Sequence, residues 1–208
     1  MSFYIYIYMQ GIFLLAISFL TTFILSKTTN LKPVANYNNK FEYIPVLTSN
    51  ILADLLIVYI TFSGILSVKN SKSWNILTKW YKKYRLSAMI ADILIGVLYL
   101  LLARYLVFAF KLNFNLFTFA IFAVAIQLTF DFLFYLLFST IPKKQNDMLD
   151  MFKEWGKFAG LDALWGDSIL VIVGVIVSAF LNQQSVDFNL VTLILSCYLV
   201  PYIIYKKN

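Results

Sequence analysis

Histidine is absent from this chain of 208 residues, and cysteine occurs once, at Cys197. The first absence excludes histidine-based metal sites, Ser-His nucleophiles and His-Glu-x-x-His zinc proteolysis together. A lone cysteine closes no disulfide within the chain, and one lying in an apolar run reads as a small inert hydrophobe. Charge is scarce too. Charged residues make up 13% of the chain, against about a quarter in soluble domains. No Asn-x-Ser/Thr sequon occurs, so no glycan acceptor marks one side of the molecule.

Apolar residues fill the space that charge leaves: 61% of the chain is hydrophobic and the mean hydropathy is +0.79. They fall into runs at about 4–26, 49–68, 86–110, 116–141, 167–181 and 188–205. Roughly 20 apolar residues at about 1.5 Å each cross the hydrocarbon core of a bilayer. The expected fold is therefore all-α, one polytopic transmembrane domain of about six spans over residues 1–208. The first run begins with Tyr4, Tyr6 and Tyr8 and lacks a basic leader and an A-x-A cleavage pattern, so it reads as a retained span. Ser63-Gly64 and the Gly174/Ser178 pair are small residues suited to close helix contact.

The net charge of +7 has a topological explanation. Six basic residues, Lys69, Lys72, Lys79, Lys82, Lys83 and Arg85, lie in one acid-free stretch with Trp74, Trp80, Tyr81 and Tyr84. Such a segment suits cytoplasmic headgroups, with its aromatics at the interface and its basic residues against anionic lipid. Residues of about 146–163 repeat Met148, Met151, Phe152, Trp155, Phe158 and Leu161 at helical spacing between charges, the pattern of an interfacial amphipathic helix. Placing both termini inside puts twelve basic residues on the inner side and four outside, which is the orientation the positive-inside rule favours. Membrane lipids are the expected partners, with a second copy or another membrane protein as candidate protein partners; nucleic acid and cofactors are not expected.

Charges inside spans are costly unless they pair or face water. Asp54 and Arg104 are expected at similar depth in the outer half, as a candidate intramembrane ion pair. Asp92, Asp131 and Asp167 are expected near one level of the inner half, with Gln127 close by and no basic partner within the spans. Arg85, Lys143 and Lys144 reach in from the boundary in one reading, making these acids interhelical glue. In the other reading clustered carboxylates share and exchange protons or bind a cation. Ser49–Ile57 also resembles Ser87–Ile95, each with an Ala-Asp pair, on helices expected to run oppositely, an arrangement transporters use.

Phe130-Asp131, Gly166-Asp167 and Pro201 faintly resemble the paired aspartates of intramembrane aspartyl proteases. Leu164 stands where that family has the first glycine of Gly-x-Gly-Asp, and Val200-Pro201-Tyr202 differs from its Pro-Ala-Leu. A retinal protein is excluded because no span contains an interior lysine. The segment Gln145-Asn146-Asp147 through Phe152-Lys153-Glu154-Trp155, with Gly166-Asp167-Ser168-Ile169-Leu170, resembles uncharacterised multi-pass membrane proteins of large DNA viruses. That resemblance covers the last third of the chain and implies a host or virion internal membrane, with no activity attached. The expected function is a non-enzymatic membrane scaffold or assembly component, with a small proton or cation channel or transporter as the alternative and an intramembrane hydrolase as the remote one.

Overall fold

The computed structural model describes residues 2–63, 72–158 and 161–206. Among them are eight α-helices, one 3-10 turn and no strand. The helices are α1 (Ser2–Thr28), α2 (Tyr43–Ser63), α3 (Lys72–Tyr84), α4 (Leu86–Ala109), α5 (Leu116–Thr140), α6 (Asp147–Phe158), α7 (Leu161–Leu181) and α8 (Val186–Ile204). Six of them, all but α3 and α6, are long and apolar enough to cross a membrane. The protein is thus a multi-pass helical membrane bundle. Its wide exposed apolar surface, for example Leu98, Leu137, Ile194 and Tyr198, is what lipid-facing helices require.

Local chemistry sets several helix ends. Asn115 and Ser185 accept the backbone amides of Thr118 and Phe188 and so cap α5 and α8. Asn146 does the same for α6 through Met148 and Leu149. Pro142 forces the residue before it out of helical geometry, and Ile141 accordingly ends α5 in an extended conformation.

The six spans run alternately, so the described ends of the chain, the starts of α4 and α7, and both short helices lie at one end of the bundle. The 29–42 loop and the two short connectors, 110–115 and 182–185, lie at the other. The centre of the bundle is α2. It packs most closely on α7 and α8 and then on α4, while α5 and α1 close around α7. Gly174 brings α7 against Asn50 of α2 and Leu100 of α4, and Ser178 is fully buried one turn further on. Close packing of small residues is how helices associate without a hydrophobic driving force between them.

Three expected boundaries shift. Helix α2 starts at Tyr43 rather than 49, because Pro45 is tolerated in a first helical turn, where its missing amide is unpaired anyway. Helix α7 starts at Leu161, so Asp167 and Ser168 lie inside the helix and do not cap it. The interfacial helix accordingly ends at Phe158. The basic aromatic stretch is the larger surprise. It is an amphipathic helix, α3, and Trp80 and Tyr81 are buried inside the bundle instead of lying at headgroups. Gly64 and Lys69, expected to serve helix contact and lipid contact, lie outside the described residues.

Candidate functional site

Arg104 does not pair with Asp54. The earlier start of α2 carries Asp54 more than halfway along its helix, toward the α3 end, while Arg104 stays near the opposite end. Arg104 instead meets Glu42 at 3.1 Å, both side chains almost fully buried. Its guanidinium also donates to the carbonyls of Asn36 and Asn39, at 2.8 and 3.1 Å, and lies over the Tyr43 ring. Glu42 accepts from the Asn36 amide and the Asn182 side chain. A buried charge pair of this kind is tolerable because backbone and amide groups fill most of its hydrogen bonds, the buried Arg104 Nε excepted.

At the α3 end the carboxylates have different company. Asp54, 3% exposed, accepts a hydrogen bond from the Tyr81 hydroxyl at 2.8 Å through one oxygen, while the other is buried without a partner. Asp92 accepts from the Trp80 indole at 2.9 Å. The two acids lie close enough for their charges to interact, with the Tyr81 hydroxyl facing both. They are the two aspartates of the repeated Ala-Asp segments, brought together by antiparallel helices.

A second pair is built on α5 and α7. Asp131 accepts from the Tyr99 hydroxyl at 2.6 Å and from Gln127, one turn before it on α5. Gln127, fully buried, in turn accepts from Ser168 of α7 at 2.7 Å. Asp167 beside it has no hydrogen bond among the described residues and lies within electrostatic reach of both Asp131 and Asp92. Asp167 therefore links the two pairs into one group of four acids from α2, α4, α5 and α7.

Of the basic residues expected to reach in from the boundary, Arg85, Lys143 and Lys144, none pairs with these acids among the described residues, and Lys143 and Lys144 are exposed. Arg85 turns away: its guanidinium donates to the Ile204 carbonyl at 2.8 Å and lies over the Tyr205 ring, closing the end of α8. Lys79 and Lys83 pair with Glu154 and Asp147 of α6 on the exposed surface, and Lys82 is exposed. Phenol, indole and amide groups are the partners of Asp54, Asp92 and Asp131, and Asp167 has no hydrogen bond among the described residues. Pro201 is exposed on α8 and takes no place beside Asp131 and Asp167, so the protease-like pattern has no counterpart in space.

Of the residues expected together, Gln127 is hydrogen-bonded to Asp131 and to Ser168, the neighbour of Asp167. Asp54, Tyr81, Trp80 and Tyr99 complete the group and were not assigned to it from sequence. A signal for α3 was present, since Ile76, Leu77, Trp80, Tyr81 and Tyr84 share one helical face. Among the described residues, no three acidic or cysteine side chains converge as metal ligands do. Compared with protein-family models, curated proteins and solved structures, the chain matches none.

Proposed function

We propose that this membrane protein translocates protons, alone or coupled to a small solute, with Asp54, Asp92, Asp131 and Asp167 as its protonation sites. The observation that carries this reading is the contrast between the two ends of the bundle. Glu42 has a cation beside it, whereas among the described residues Asp54, Asp92 and Asp131 have only neutral donors and Asp167 has no donor. An acid within a span that lacks a cationic partner must take up a proton or reach water. Asp54 beside Asp92, and Asp167 within reach of Asp92 and Asp131, form a chain of acids on four helices along which protons exchange between neighbours. The excess of basic residues on the α3 and α6 side makes that side cytoplasmic, or its equivalent in an internal membrane.

The second reading is a scaffold, favoured by polar groups that serve only to join helices, such as Ser168 with Gln127. Purified protein in liposomes carrying an internal pH-sensitive dye distinguishes the two under an imposed pH gradient. Transport predicts proton uptake above that of empty vesicles, reduced to about a tenth or less by Asp92→Asn or Asp131→Asn. A parent protein that passes no protons removes the transport reading and leaves the scaffold.

A further inference from the structure

Helix α3 does not cross the membrane, yet it delivers a phenol to the interior of the bundle. Tyr81 is 1% exposed, and its ring is held edge-on by Phe62 of α2. Its hydroxyl donates to Asp54 on α2 and also faces Asp92 on α4. Trp80, the residue before it, holds Asp92 from another side through its indole. The two side chains differ chemically. A phenol donates one proton and accepts another at the same oxygen, whereas an indole N–H only donates.

We propose that Tyr81 relays a proton between Asp92 and Asp54, making α3 the removable link of the acid group. The proposal rests on the proton-translocating reading given above. With Asp92 protonated and Asp54 ionised, the Tyr81 proton passes to Asp54 Oδ1 as the Asp92 acid proton passes to the phenol oxygen. One O–H bond forms on Asp54 and one breaks on Asp92, the phenol is regenerated, and the negative charge moves from α2 to α4. No electrons are transferred. The hydroxyl then turns back toward Asp54 before the next transfer. Because Tyr81 reaches the acids only while α3 is seated, the same helix that passes the proton also decides when it passes.

Tyr81→Phe keeps the ring and its Phe62 contact and removes only the hydroxyl. In proteoliposomes it should slow proton uptake by at least roughly tenfold, while the protein stays folded in detergent with its unfolding midpoint lowered only by the one hydrogen bond lost. Tyr84→Phe is the matched control, the same change on the same helix, and should conduct as the parent does. Infrared difference spectra supply a readout that packing alone does not move. Asp92→Asn should shift the Asp54 carboxyl stretch in the parent through the shared hydroxyl, and that shift should vanish when Tyr81 is Phe. A conducting parent whose Tyr81→Phe variant conducts equally overturns the relay alone, as does equal loss in both tyrosine variants or an infrared shift that survives without the hydroxyl. A parent that passes no protons overturns the transport reading and the relay with it.

Discussion

Arg104 and Glu42 illustrate what a buried charge needs in this bundle. The arginine has Glu42, two backbone carbonyls and an aromatic face around it, so removing the carboxylate strands a charge that the helices cannot hydrate. Glu42→Gln should cost about 3–5 kcal/mol, and replacing both residues by methionine should cost less than Glu42→Gln alone. Denaturant unfolding in detergent checks the order. Asn50 makes a different point. It donates to the Val46 carbonyl at 2.8 Å and lies between Gly96 and Gly174, so a methyl group at position 96 meets its side-chain oxygen. Gly96→Ala should destabilise by about 1–3 kcal/mol, and most of that should disappear when Asn50 is also alanine, since the clash has then gone. The pairing of Arg104 was not legible because depth was counted from the apolar run, and Glu42 lies just outside it. Pro45 and the acid before it were the available marks of an earlier helix start.

At the scale of elements, α3 is where sequence and structure part furthest. Its lysines and aromatics have the composition of a headgroup anchor, and composition alone does not reveal which face turns inward. The spacing does, since Leu77, Trp80, Tyr81 and Tyr84 form a stripe. The energetic weight should follow that stripe and not the visible ion pairs. Lys79 and Lys83 are about half exposed in their pairs with α6, and exposed pairs add little to stability. Trp80 is fully buried, and truncating such a side chain costs about 3–5 kcal/mol. Lys79→Ala and Lys83→Ala should therefore leave thermal unfolding nearly unchanged, whereas Trp80→Ala should lower the midpoint clearly. The six long helices were legible because bilayer thickness imposes their length, and α6 because its apolar face is periodic. The starts of α2 and α7 were not, since the first turn of α2 holds Pro45 and that of α7 holds Asp162.

For the molecule as a whole, the alternation of six spans makes a topological prediction that requires no activity. With Cys197 replaced by serine, a cysteine at position 38 should react with an impermeant maleimide from one side of sealed vesicles. Cysteines at 146 and 206 should react only from the other. Labelling of all three from one side would break the six-span arrangement. The net basic charge gives the direction of that arrangement, whereas the gathering of acids from α2, α4, α5 and α7 depends on which helices are neighbours. Hydropathy carries no information on neighbours, which is why the placing of Asp54 beside Tyr81 is not legible in the sequence.

The central position of α2 has a consequence for how the chain is made. Its closest neighbours, α7 and α8, leave the ribosome only after α2, α4 and α5 have been made. During synthesis Asp54 and Asn50 therefore wait in the membrane before their final surroundings exist, and lipid is a poor place for them to wait. Insertion of the second span should depend on its being kept at the insertion machinery, or in contact with α4, until the C-terminal pair arrives. Nascent chains halted after residue 141 should show α2 more easily extracted or cleaved than in the finished protein, and Asp54→Leu should relieve that weakness.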